Sequence, residues 1–170
     1  MVISPYLLFI AALAAERLFE LWLSRRNARL QQARGAIEAG AAHFPYMALL
    51  HTLFLFSCAV EGSLRPFPGA LGWVALLGVL LSQALRYWAI ATLGARWNVR
   101  VLVVPGEPPI AAGPYRYLRH PNYAAVIAEL VFVPLVHGAW VTAAVFSLLN
   151  AALLSVRIRV ENRALGYSRG

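Results

Sequence analysis

Between Gly113 and Tyr123 the chain reads Gly-Pro-Tyr-Arg-Tyr-Leu-Arg-His-Pro-Asn-Tyr. Arg116, Arg119, His120, Tyr115, Tyr117 and Tyr123 give this stretch groups that bind an anion, hydrogen-bond a polar ligand or stack on a flat ring. Pro121 disfavours helical backbone at His120 and suits the first turn of a helix beginning about Asn122. The stretch therefore reads as a shaped loop ending on a helix N-terminus, whose free N–H groups add an anion site. A second chemical pair lies near the end of the chain. Arg157 and Glu161 are four apart and share one helix face. Taken alone they read as a helix-end salt bridge, with the arginines favoured by the C-terminal dipole.

These residues are set among long apolar blocks. The chain has 170 residues, is 61% hydrophobic and has a mean hydropathy of +0.65. A soluble domain is nearer half apolar, so the composition predicts an all-α integral membrane protein. Five membrane segments are expected, at about 3–23, 45–61, 69–92, 122–136 and 138–157, in a single domain covering 1–170. The fourth is short and carries Glu129 and Pro134, and His137-Gly138 breaks it from the fifth, which predicts a helical hairpin. No basic residue precedes the first apolar run, and the run continues to Leu23, so it reads as a membrane segment rather than a cleaved signal.

Every basic residue other than histidine is Arg, and every acid is Glu. The net charge of +8 would suit nucleic acid or anionic lipid, but the arginine positions read as topology. Arg25, Arg26, Arg29 and Arg34 follow the first segment; Arg96, Arg100, Arg116 and Arg119 follow the third; Arg157, Arg159, Arg163 and Arg169 follow the fifth. The opposite side has Arg65 alone. That places the N-terminus outside and the C-terminus and the Gly113–Tyr123 loop in the cytoplasm. No nucleic-acid partner is expected.

Charged and ligating residues inside the segments need separate readings. Glu16, Arg17 and Glu20 fall on one helix face and read first as a structural ion pair, second as a substrate contact. His43, His51 and Cys58 form a stripe, with Tyr46 beside His43 at the interface, but no carboxylate or further histidine completes a metal site, so pocket lining or helix–helix hydrogen bonding is expected and no metal. His51 is the substrate-side candidate among them. Cys58 is the single cysteine, which excludes an internal disulfide. Residues 35–43 read as a small flexible loop. Val101-Leu102-Val103-Val104 is too short to cross a bilayer and reads as lying on the surface or under a cap. No Gly-x-Gly-x-x-Gly with alternating strands is present, so a Rossmann-type enzyme is not expected.

The combination of Gly113-x-Tyr115, Arg119-His120-Pro121-x-Tyr123 opening a membrane helix, a helical hairpin and Arg157-x-x-x-Glu161 at its exit resembles the isoprenylcysteine carboxyl methyltransferase family. The similarity is sharpest from Thr92 to Leu165. The earlier part, with Gly35-Ala36-Ile37-Glu38, His43, Tyr46 and His51, resembles a bacterial branch associated with type III polyketide synthases, whose long-chain alkylpyrones or alkylresorcinols are methylated on oxygen. The resemblance implies a membrane enzyme using S-adenosylmethionine on a lipophilic acceptor drawn from the bilayer. It implies cofactor contacts at Glu107, Pro108, Pro109, Ile110, Tyr115, His120, Pro121, Asn122, Tyr123 and Glu161, and a substrate-facing catalytic Arg157. Two departures stand out: Asn162 replaces the second Glu of the family's exit motif, and Glu107 stands where a more neutral residue is common. The family also continues with a basic, aromatic tail where this chain reads Tyr167-Ser168-Arg169-Gly170.

Two other readings fit parts of the pattern. A lipid-amine methyltransferase of the same build would not need an arginine facing its acceptor. A transporter or scaffold would suit Glu16, Arg17, Glu20 and Glu129, but the internal repeat common in transporters is not seen.

Overall fold

The computed structural model describes residues 4–167, so Ile3, Arg169 and the end of the tail lie outside the described residues. Five helices follow in order: α1 Pro5–Gln32, α2 Phe44–Ser63, α3 Ala70–Leu93, α4 Pro121–Leu135 and α5 Trp140–Ala164. Spans of Ala41–Ser63, Ala70–Arg96 and Trp140–Ala164 are long and apolar enough to cross a membrane, and the architecture is that of an all-α membrane protein. α4 has 15 residues, about 22 Å at 1.5 Å per residue, short of the roughly 30 Å hydrocarbon core. α1 has 28 residues, about 42 Å, and outruns that core.

The extra length of α1 has a use. Its buried residues Tyr6, Ile10 and Leu13, then Glu20, Ser24, Asn27 and Gln31, recur at three-, four- and seven-residue steps along one face. The first half of the stripe is apolar and packs with Phe54 and Cys58 of α2. The second half is polar and must find partners, because burying an unpaired polar group is unfavourable. It finds them in the connection after α3. Asn27 donates to the Trp97 carbonyl at 2.8 Å, Gln31 to the Ala95 carbonyl at 3.1 Å, and the Ser24 hydroxyl to Asn98 at 2.8 Å.

The loop at 35–43 is more ordered than the sequence suggests. β1, Ile37–Ala39, pairs antiparallel with β2, Val101–Val103, in the register Ile37 with Val103, Glu38 with Leu102 and Ala39 with Val101. The apolar run is therefore a strand held by a second one, with a tight 3₁₀ turn at Ala41–His43 leading into α2. Small residues with a three-residue pairing give little periodic signal, which is why the reading as a flexible loop fails here.

The expected hairpin is present. Gly138, at φ +66, breaks α4 from α5 in the left-handed region open to glycine. At this end Glu61 of α2 accepts from the N–H of Thr142 at 2.8 Å and from its hydroxyl at 2.8 Å, capping the first turn of α5. Tyr6 of α1 donates to the Cys58 carbonyl at 2.8 Å and stacks on His137, with ring centres 4.3 Å apart. At the opposite end the arginine-rich exits of α1, α3 and α5 meet β1, β2 and the start of α4, so the three arginine clusters share one side of the bundle.

Within the bundle, Arg17 pairs with Glu20 at 2.9 Å and with Glu16 at 3.2 Å, the ion pair expected for α1. The structure extends it. Arg86 of α3, buried, forks onto Glu129 of α4, with its Nε 2.8 Å from Oε1 and Nη2 bonded to Oε2. Arg86 and Arg17 also approach Glu20 and Glu129 respectively, which joins α1, α3 and α4 through one charged cluster.

Candidate functional site

The loop after β2 is fixed from below. Gly113 has φ +52, and a Cβ there would meet the Thr92 side chain, so only glycine lets the loop lie against α3. A 3₁₀ turn at Gly113–Arg116 follows, Pro114 is buried, and α4 begins at Pro121 as the proline geometry predicts. His120 is the residue before the helix, with φ −134, outside helical backbone.

Three side chains from two helices then form a chain of hydrogen bonds. Tyr123 on α4 donates to the Glu161 carboxylate on α5. Arg157, one turn before Glu161, donates from Nε to the Tyr123 hydroxyl oxygen at 2.7 Å and from Nη2 to the Val99 carbonyl at 2.5 Å. Its Nη1 has no partner among the described residues. The direct Arg157–Glu161 bridge suggested by spacing is thus replaced by one that passes through Tyr123. His120 stacks on Tyr123, with ring centres 5.1 Å apart, and its Nε2 is 2.8 Å from Oδ1 of Asn162. Burial, and then the nearby Glu161 charge, push the Tyr115 hydroxyl above the usual tyrosine range, so it stays protonated.

Two cavities meet here. One, enclosing about 110 Å³, is bounded by β2, the loop before α4 and the end of α5. Pro109, Ile110, Tyr115, His120, Asn122, Tyr123, Arg157 and Glu161 line it, eight of the expected site residues. The other, about 450 Å³ and largely apolar, lies among α1, α2, α3, α4 and α5, and His51 lines it. Trp97, Asn122, Tyr123 and Arg157 line both.

Three expected residues stand apart from these walls. Glu107 is ion-paired with Arg34 and lies 3.6 Å from Arg96. The Pro108 carbonyl accepts from Arg96 at 2.8 Å, and Pro121 is packed in the first turn of α4. Glu107 is therefore held by two arginines, which accounts for a charge where the family favours a neutral residue. The sequence marks none of Trp97, Arg96 and Val103 as a site residue, yet they also line the first cavity. The signal for Trp97 was the Ser24, Asn27, Gln31 stripe on α1, which needed a polar backbone to hold. Among the described residues no group of three or more His, Cys, Asp or Glu is placed to hold a metal.

The donor set of the first cavity fits S-adenosylmethionine. Arg119 and His120 suit its carboxylate, Glu161 its amine or ribose, and Tyr115 a flat ring. Asn122 Oδ1 is buried without a hydrogen-bond partner in this wall, an acceptor open to a ligand donor. The enclosed volume is below the ~300 Å³ of a typical ligand pocket, so a nucleoside-sized group would extend past it.

Comparison with known proteins agrees with the residue pattern. Residues 73–167, more than half of the chain, match the model of the isoprenylcysteine carboxyl methyltransferase (ICMT) family. The chain is 45% identical to the uncharacterized protein YpbQ of Bacillus subtilis over 93% of this chain and 95% of that one. It is 27% identical to an uncharacterized protein of Haemophilus influenzae over 92% of each. No solved structure matches. With that match falling on the loop, the hairpin and the exit helix, the chain belongs to the isoprenylcysteine carboxyl methyltransferase family and is a membrane methyltransferase with a lipophilic substrate.

Proposed function

We propose that this chain transfers a methyl group from S-adenosylmethionine to an oxygen of a lipophilic acceptor. The observation that carries the reading is the wall shared by the two cavities, with Arg157 and Tyr123 facing both. A polar cavity at the arginine-rich end suits a water-soluble donor, and an apolar cavity among the helices suits an alkyl chain.

S-adenosylmethionine supplies an electrophilic methyl on a cationic sulfonium. Transfer of that methyl to an acceptor oxygen would break the carbon–sulfur bond, and the bond pair would leave with sulfur. The chain's part is alignment, which contributes about 7–11 kcal/mol in well-oriented reactions. Arg157 is anchored by Tyr123 and Val99, leaving Nη1 to hold an acidic oxygen deprotonated. The apolar walls exclude water, which favours a step in which two opposite charges neutralise each other. Glu161 is engaged by the Tyr123 hydroxyl and fixes the side of the wall that faces the donor. A carboxylate such as that of a prenylcysteine, an enolic alkylpyrone and a phenolic alkylresorcinol all present such an oxygen; the last two would link the chain to a type III polyketide synthase. Convergence of the arginine clusters supports a site on the cytoplasmic face of a bacterial inner membrane, with the N-terminus outside.

The test is calorimetry of the detergent-purified chain with S-adenosylhomocysteine. Saturable binding that weakens at least about tenfold in His120→Ala and in Glu161→Ala is expected, the loss of one charge-assisted hydrogen bond. Absence of binding by folded wild type would overturn the reading.

A further inference from the structure

The chain has seven acidic side chains, all Glu, and each is engaged. Glu16, Glu20 and Glu129 belong to the cluster with Arg17 and Arg86. Glu61 pairs with Arg65 and caps α5, at the end of the bundle away from the arginine clusters. At the arginine-rich end, Glu38 pairs with Arg100, Glu107 with Arg34 and Arg96, and Glu161 accepts from Tyr123. Arg25, Arg26 and Arg29 are exposed on α1 and have no ion-pair or side-chain hydrogen-bond partner among the described residues. No free acidic side chain is left to neutralise them, and a second copy of the chain has none to offer either. Their counter-charge must come from another molecule.

The surroundings of these arginines say what supplies it. Leu18, Phe19, Trp22, Arg25, Arg26 and Arg29 are all exposed and share one face of α1, opposite the buried Glu20, Ser24, Asn27 and Gln31. Along that face comes first an apolar side chain, then Phe19 and Trp22, whose rings stack with centres 5.7 Å apart, then the three arginines. Apolar, aromatic and cationic is the order that matches acyl chains, interface and phosphates of one leaflet. Arg25 to Arg29 covers about 6 Å of helix axis, against roughly 5–7 Å for one headgroup layer. A soluble anion would need the arginines but not the exposed apolar ledge that continues from them.

We infer that this face of α1 is a binding site for an anionic phospholipid, with the headgroup phosphate held by Arg25, Arg26 and Arg29 and the acyl chains laid along Trp22, Phe19 and Leu18. Guanidinium groups match phosphate through paired N–H donors. The inference rests on the membrane placement of α1 and is independent of methyl transfer. Leu18 also lines the second cavity, so a lipid seated here lies beside it.

The probes are palmitoyl-oleoyl phosphatidylglycerol and the phosphatidylcholine with the same chains. Stepwise binding of each to the full chain in detergent is resolved by native mass spectrometry. An arginine near a membrane surface contributes about fivefold, so wild type should bind the first phosphatidylglycerol at least about tenfold more tightly than the first phosphatidylcholine. Combining Arg25→Gln, Arg26→Gln and Arg29→Gln should bring the two affinities within about threefold. Combining Arg116→Gln, Arg159→Gln and Arg163→Gln removes the same charge from exposed arginines elsewhere at this end and should keep the preference. In wild type, with no variant needed, a photoactivatable phosphatidylglycerol should label residues 18–29 more heavily than its phosphatidylcholine counterpart. Equal affinities or equal labelling in wild type, a preference that survives in the α1 variant, or an equal loss in both triple variants would overturn the site. Displacement of bound phosphatidylglycerol by inorganic phosphate would also overturn it, in favour of a soluble anion.

Discussion

Arg157 reaches the Tyr123 hydroxyl from Nε at 2.7 Å, and the same guanidinium lies 5.4 Å from the centre of the Tyr123 ring. The tyrosine thus sets both the height and the tilt of the arginine that bounds the two cavities. Removing the hydroxyl should free the guanidinium while leaving its charge in place. Tyr123→Phe is expected to lower turnover by about ten- to a hundredfold, the value of about 1.5–3 kcal/mol for a hydrogen bond to a charged group. Methyl transfer from labelled S-adenosylmethionine to an acidic lipophile is the measurement. Turnover equal to wild type would show that Arg157 needs no tether.

Arg157→Lys tests the fork rather than the charge. An ammonium on a flexible stem does not reproduce two fixed donors to Tyr123 and Val99 with a third left over. Turnover should fall at least about a hundredfold, because orientation contributes several kcal/mol in such steps. Near-normal activity in the lysine variant would mean that positive charge alone suffices, and retention of activity in Arg157→Ala would favour an amine acceptor over an anionic oxygen.

Asn162 stands where the family's motif has a second Glu, and the structure gives it a task. Its Oδ1 lies 2.8 Å from His120 Nε2, which holds the ring flat against Tyr123. Asn162→Ala should therefore weaken S-adenosylhomocysteine binding by about three- to tenfold, a neutral hydrogen bond's worth, with little change in melting temperature. Unchanged affinity in calorimetry would assign Asn162 no part in placing His120.

The proline geometry and the glycine at 138 made much of the frame legible in the sequence, since each acts through local backbone rules. The hairpin and the helix start at Pro121 follow from them directly. What stayed hidden depends on residues far apart in the chain. β1 and β2 are three residues each and more than sixty positions apart, too short for a period to show. Arg86 carries no mark that its partner is Glu129, and Trp97 is placed by Asn27, seventy residues earlier. The link of Arg157 to Glu161 through Tyr123 was hidden for the same reason: spacing on α5 suggests a direct contact, and only packing of α4 puts a hydroxyl between them.

Arg86 and Glu129 give a stability prediction with a built-in control. Arg86 is 3% exposed and Glu129 8%, so removing one partner strands a charge. Arg86→Met should destabilise the folded protein by about 3–5 kcal/mol, the usual cost of breaking a buried pair. The double variant Arg86→Met with Glu129→Leu should recover part of that loss, because both charges leave together. Thermal unfolding in detergent reads the comparison. A double variant less stable than the single one would show that the pair contributes more than it demands in desolvation.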